Sequence, residues 1–323
     1  MTSLGNYISD LPEGKPEFAV VIVTFNSAGV IGPCIDSCRH FAAGPILVVD
    51  NASQDDTVEV ARRNGACVIA NRTNRGFAAA ANQAVEQLDA ECILLLNPDT
   101  QLLTSVENLC AECRRPGVGA ATGALVNAGT GAPQAGFAVR RFPNASTLVC
   151  ETLGLNHLFP GNPVNRRYRC ADWDPALPSA VEQPAGAFLM FRRDVWLMLD
   201  RMDERFHPIW FEDVDFCKRL KDAGLEIRYR PEVRAAHEGG HSAGKLVSVH
   251  RFQYWYISLL RYAEKHFSQA RFRLVSAAVL VRCVLKAIAL RARRPFSNTP
   301  EINKPLRFAV QGLTKGSLPK AGC

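Results

Sequence analysis

From Phe18 onward the chain alternates short, uninterrupted apolar runs with stretches of mixed polarity. FAVVIVTF precedes residues 27–40, PILVVD precedes 55–64, ACVIA precedes 77–88, and ECILLLN follows. Apolar runs without in/out alternation predict strands buried on both faces, and the mixed stretches between them predict helices. The first part of the chain is therefore expected to form a parallel sheet with helices on each side and right-handed crossovers. Residues 127–183 break the pattern: rich in Gly, Pro, Asn and Arg, they predict long ordered loops, a kind of segment that usually carries function. A short strand, AGAFLMFRR, and a helix, FEDVDFCKRLKDAG, with Gly224 as its stop, come next.

The remaining segment reads differently. QYWYISLLRYAEKHF is followed by RFRLVSAAVLVRCVLKAIALRARRP, in which the apolar-leaning stretch 274–290 is interrupted by Arg282 and Lys286. That stretch is too short and too charged to span a bilayer, and it predicts a basic helix lying in a membrane interface. Charge sharpens the distinction. The net +7 divides into 14 Lys and Arg against Glu264 and Glu301 after residue 250, and 24 basic against 29 acidic residues before it. The division expected is an extension (1–17), a catalytic domain (18–247, with halves 18–126 and 127–247) and a basic helical tail (248–323) that meets an anionic membrane surface.

With 47% hydrophobic and 21% charged residues, the 323-residue chain is neither disordered nor a polytopic membrane protein. Its eleven cysteines are scattered, and the lone CxxC at Cys110 and Cys113 and CxxxC at Cys34 and Cys38 lack a second pair, so small buried thiols are expected rather than zinc ligands. MTSLGNYISDLPEGKPE has no apolar run and carries Asp10 and Glu13, so it is not read as a signal peptide and a cytoplasmic location is expected.

In an open α/β sheet, ligands bind beyond the carboxyl ends of the strands. Three such ends carry polar residues here: Thr24 and Asn26, Asp50 and Asn51, Asn97 and Asp99. The turn after the first strand, TFNSAGVIG, lacks GxGxxG, which disfavours a nicotinamide or flavin enzyme. Each polar residue also has a plainer use, as a helix cap or strand end; their convergence is what points to a ligand. Asn74, Arg75 and Gly76 precede another helix and are placed to meet phosphate through backbone donors and the guanidinium.

VVIVTFNS, PILVVDNASQDDT, NRGFAAAAN, LLLNPDT, PAGAFLMFRRDVW, FEDVDFCKRLKDAG and HEGGHS occur in the order found in inverting family 2 glycosyltransferases of the GT-A fold. The chain resembles that family over about residues 18–242, and within it the rhamnosyltransferase-like branch. The resemblance implies a mostly parallel central sheet, with Thr24, Asn26, Asp50, Asn74, Arg75 and Gly76 at the nucleotide. It implies Asp213 as catalytic base, and Asn97, Gly186, Ala187 and Glu212 near the donor or acceptor sugar. Asn97-Pro98-Asp99 stands where the family has its metal-binding DxD motif, with Asn for the first Asp, so Asp99 and His237 are the implied ligands of Mg²⁺ or Mn²⁺. His241 competes with His237, Asp215 has a duller use as an i, i+4 partner of Arg219, and Arg192 or Arg193 is a further candidate for phosphate.

The implied partners are a nucleotide-sugar donor, dTDP-rhamnose before UDP-sugars, and a lipid-linked saccharide acceptor at the inner face of the cell membrane, with no nucleic acid. Two readings of other classes compete. A sugar nucleotidyltransferase would carry a basic, glycine-rich loop after the first strand, and TFNSAGVIG has no Lys or Arg. A noncatalytic binder relying on the basic tail would bind nucleic acid with steep salt dependence.

Overall fold

The computed structural model describes residues 16–42, 44–239, 248–293 and 300–319. Eleven strands occur among them. They are β1 (Phe18–Thr24), β2 (Ile46–Asp50), β3 (Cys67–Ala70), β4 (Cys92–Leu96), β5 (Thr100–Leu102), β6 (Val118–Asn127), β7 (Val139–Arg140), β8 (Ser179–Val181), β9 (Gln183–Pro184), β10 (Phe188–Arg192) and β11 (Glu226–His237). Nine form one sheet in the order β3-β2-β1-β4-β10-β6-β11-β5, with β8 also on β11, while β7 and β9 make a separate pair.

All residues of β1, β2 and β4 are buried, as their unbroken apolar sequences require. Side-chain alternation sends Val20, Ile22, Leu94 and Leu96 into the core on one face, and Val21, Val23, Ile93 and Leu95 into the core on the other. Truncating one of these to Ala costs about 2–5 kcal/mol, because so rigid a layer collapses only partly around a void.

The sheet departs from the simple parallel expectation at β5, β8 and β10. β10 runs antiparallel between β4 and β6, with Phe188 opposite Leu96 and Arg192 opposite Cys92. The start of β10 therefore lies beside the carboxyl end of β4. Strand β11 lies parallel to β6, with a register shift across Pro231, and its last residues pair antiparallel with β5, His237 opposite Thr100. Residues 127–183, read as loops, also hold the helices Ala145–Leu153, Leu155–Leu158 and Pro163–Tyr168.

The tail forms three helices, Ser248–His266, Gln269–Arg293 and Pro300–Lys315. It is not a free appendage. Tyr262, Val275, Cys283 and Phe308 join Leu148, Phe211 and Val214 of the preceding region in a third apolar core. The buried Asp215 of the helix Glu212–Asp222 takes Arg219 Nε at 2.8 Å, Lys265 Nζ at 2.8 Å and His266 Nε2 at 2.7 Å. The Asp215–Arg219 pair read from sequence is thus present, and two tail residues complete it. Among the described residues no helix is long and apolar enough to cross a membrane. Most of the described cysteines are buried.

Candidate active site

The carboxyl ends of β1, β2, β4, β6 and β11 and the start of β10 share one edge of the sheet, and the expected site residues gather along it. At one end, Thr24 and Asp50 are adjacent in register and both buried. Asp50 Oδ2 accepts the Ser53 N–H at 2.9 Å, and Oδ1 accepts the Ser53 hydroxyl. Asn26, in the left-handed region at φ 51°, accepts the Gln54 N–H at 2.8 Å. The loops after β1 and β2 are thereby stitched together into a fixed rim.

Asn74, Arg75 and Gly76 answer only part of their expectation. The Gly76 N–H is taken by Asn74 Oδ1 at 2.9 Å, the Phe77 N–H by Pro208 O at 2.8 Å, and the Arg75 N–H faces Asn51 Oδ1 at 3.4 Å. The backbone donors imagined for phosphate are engaged within the protein, which leaves the exposed Arg75 side chain as the cation there. Gly76 itself sits at φ 83°, where an added β-carbon would meet His207 Cδ2 at 2.8 Å.

The middle of the edge is organised by one turn. The Gly186 N–H donates to Asp213 Oδ2 at 2.9 Å, and the next carbonyl, of Ala187, accepts from Asn97 N–H at 3.1 Å and Thr100 Oγ1 at 3.4 Å. Two consecutive residues therefore tie the catalytic-base candidate to the Asn97-Pro98-Asp99 turn. Gly186 and Ala187, expected near the sugar, act here as backbone connectors. Arg192 and Arg193, at the other end of β10, cannot take part: Arg192 lies opposite Cys92 at the start of β4, where it pairs with Asp194.

Asp213 and Glu212 open their helix after Trp210 and Phe211, both in the left-handed region at φ 78° and 70°. Such residues cost about 1–3 kcal/mol each and persist where packing overrides them. Here the packing comes from the tail: Trp255 lies 5.7 Å from Trp210 and 5.3 Å from Phe211, and Tyr262 lies 5.4 Å from Phe211, between ring centroids. Burial raises the Asp213 carboxyl above the ordinary range, against opposing contributions from the Gly186 and Val214 N–H groups and the Arg140 guanidinium. Burial, then the neighbouring Asp213 charge, raises Glu212 much further. Glu212 is 5% exposed, and its Oε2 has no hydrogen-bond partner among the described residues.

At the far side, His237 Nε2 lies 3.5 Å from Asp99 Oδ1, with both side chains buried. That exceeds a hydrogen-bond distance. It is near the roughly 3 Å that separates adjacent ligands of an octahedral ion with bonds of about 2.1 Å. Among the described residues no group of three or more His, Cys, Asp or Glu is placed to hold a metal. His241 lies outside the described residues.

Three residues between β6 and the end of β7 were not singled out by the sequence. Gln134 hydrogen-bonds the ring and carbonyl of His237, Phe137 stacks on that ring at 5.2 Å, and Arg140 lends positive charge to Asp213 while bonding Gly136 O. They belong to the Gly- and Pro-rich stretch whose length signalled function; no local pattern singled them out.

Residues 19–170 match the model described as Glycosyl transferase family 2. The N-acetylglucosaminyl-diphospho-decaprenol L-rhamnosyltransferase of Mycobacterium tuberculosis is 26% identical over 269 residues, covering 76% of this chain and 84% of its own. Among solved structures, the mannosyltransferase PcManGT from Pyrobaculum calidifontis, in complex with GDP-Man and Mn²⁺, is 16% identical, with a TM-score of 0.51, over 95% of this chain and 91% of that one. GalNAc-T7 with UDP, GalNAc and Mn²⁺ is 15% identical, with a TM-score of 0.52, over 70% of this chain but 44% of that longer one. These structural likenesses show the fold, of the GT-A type.

Proposed function

Because the chain carries a glycosyl transferase family 2 domain, we propose that it transfers a sugar, rhamnose from dTDP-rhamnose first among donors, to a hydroxyl of a lipid-linked saccharide with inversion. The observation that carries this reading is the Gly186–Ala187 turn, which holds the Asp213 carboxylate and the Asn97–Asp99 segment in one fixed relation. An inverting displacement needs such a relation. A base takes the acceptor proton as its oxygen bonds to C1, and the C1–oxygen electron pair departs with the nucleoside diphosphate on the opposite side.

Asp213 is the base, and its backbone contacts aim one carboxylate oxygen while a second is fixed by Val214. Glu212, buried beside it with its carboxyl pushed up by burial, is placed to hydrogen-bond the sugar. Thr24, Asn26 and Asp50 form the wall for base and ribose, and Arg75 meets the diphosphate. Asp99 and His237 fit one divalent ion, Mg²⁺ or Mn²⁺: the pair supplies an oxygen and a nitrogen at ligand spacing, leaving the remaining positions to diphosphate oxygens and water. Bound there, the ion would neutralise charge on the leaving diphosphate.

The tail supports a lipid-borne acceptor and a location at the membrane. On the helix Gln269–Arg293, Leu274, Val281, Val284, Leu285 and Ile288 are 46–60% exposed and fall within about 100° of one another around the axis. The same helix carries Arg271 and Arg273 exposed at its start, and Lys286 over the Phe252 ring. An apolar stripe beside cations suits an anionic bilayer, which would place the protein peripherally at the inner membrane face, next to a lipid-borne acceptor. The relative's name supports rhamnose and a diphosphopolyprenol-linked sugar as the pair to try first.

The test is to incubate the purified protein with dTDP-rhamnose, UDP-sugars or GDP-mannose, each with and without membrane lipid extract. Consumption of dTDP-rhamnose only when lipid is present is expected. Consumption of another donor would replace the rhamnosyl assignment, and turnover of none would overturn the transferase reading.

A further inference from the structure

The loop after β6 approaches His237 with a single side chain that reaches it twice. Gln134 Nε2 lies 2.7 Å from the backbone oxygen of His237, and Gln134 Oε1 lies 2.9 Å from ring Nδ1. A peptide carbonyl can only accept, so the amide nitrogen must be the atom that faces it. The amide oxygen then faces the ring, and since it too can only accept, Nδ1 must carry a proton. In the neutral ring this leaves the lone pair on Nε2, the nitrogen that lies 3.5 Å from Asp99 Oδ1.

The geometry allows little slack. The ring is part of a side chain only 2% exposed, Phe137 stacks on it at an interplanar angle of 14°, and its backbone is paired with both Thr100 and Asn127. Gln134 is itself anchored, its N–H donating to Leu125 O at 2.9 Å and its carbonyl accepting from Ala138 N–H at 2.9 Å.

We propose that Gln134 is a positioning residue that holds His237 in the Nδ1–H tautomer, so that Nε2 offers its lone pair beside Asp99 to a divalent cation. The inference rests on the reading of Asp99 and His237 as metal ligands. Partners of this kind orient a ligating imidazole, and their loss typically lowers metal affinity by about 10–100-fold.

Nitrogen NMR of ¹⁵N-histidine-labelled, metal-free protein, assigned with His237→Ala, reads the tautomer directly, and titration with Mn²⁺ alone reads affinity. Wild type is expected to show protonated Nδ1 and bare Nε2. Gln134→Leu, which cannot accept, should lose that preference and bind Mn²⁺ about 10–100-fold more weakly. Gln134→Glu keeps an acceptor for the Nδ1–H and should retain the tautomer. A wild-type ring protonated at Nε2, or a Gln134→Leu protein unchanged in both readouts, would overturn the role of Gln134. A wild type with the expected tautomer but the Mn²⁺ affinity of His237→Ala would instead overturn the metal reading beneath it.

Discussion

The peptide nitrogen of Gly186 lies 2.9 Å from Oδ2 of Asp213, and a β-carbon at 186 would stand 3.0 Å from Asp213 Cβ and 3.1 Å from that same oxygen. A side chain at 186 would require Asp213 to give by a few tenths of an ångström. Gly186→Ala should therefore shift Asp213 by a few tenths of an ångström and lower kcat, by less than the roughly 10²-fold of a 1 Å misplacement. Nucleotide affinity, set at the far end of the edge, should be nearly unchanged in calorimetry; an unaltered kcat would show that the close approach has no catalytic consequence.

The pH profile follows from Asp213. Burial disfavours its charged form and raises its pKa, so the deprotonated base is lost as pH falls through a value above the usual ~3.9 of an aspartate. Transfer should decline on the acid side at that higher pH. The Arg140 guanidinium opposes the rise, so Arg140→Gln should move the acid limb of kcat/KM further up. A limb that stays in place or moves down contradicts this relation between the two residues.

Docking of the tail depends on Asp215. Burial alone would raise its carboxyl, but His266, Arg219 and Lys265 together hold it below the ordinary range. The sign is that of a depressed acid: stability is fully present above the unfolded value near 3.9 and is lost as pH falls through the lower folded value. Asp215→Ala removes the acceptor shared by the partly buried Arg219, Lys265 and His266 and should cost about 1.5–3 kcal/mol in urea unfolding. Stability within 1 kcal/mol of wild type would mean that the cluster contributes little to holding the tail.

Membrane attachment is separable from chemistry. Replacing Val284 and Leu285 by Glu puts charge into the exposed stripe without touching the side chains that pack on the helix Glu212–Asp222. Flotation with anionic vesicles should fall sharply, while transfer to a short, water-soluble acceptor should persist. Undiminished flotation would exclude this face as the lipid contact.

The parts of the fold legible in the sequence were those with a one-dimensional signature. Unbroken apolar runs marked β1, β2 and β4, the acidic start and Gly224 bounded the helix Glu212–Asp222, and heavy basic composition set the tail apart. What was hidden depended on pairings between distant residues. Nothing in AGAFLMFRR says that it enters the sheet antiparallel, a reversal that brings Gly186 to the site and carries Arg192 away from it. Gln134 and Arg140 have no periodic context. The basic tail suggested a surface segment, yet Lys265 and His266 are committed to a buried aspartate, a use that composition alone does not reveal.

The central claim is that the carboxylate fixed by Gly186 removes the acceptor proton. Asp213→Asn keeps size and shape, so its most direct measurement is nucleotide affinity and sugar transfer on the same preparation. Affinity should match wild type while transfer falls by about 10²–10⁴-fold, the usual contribution of a positioned base. Transfer at the wild-type rate, with binding intact, would contradict the assignment.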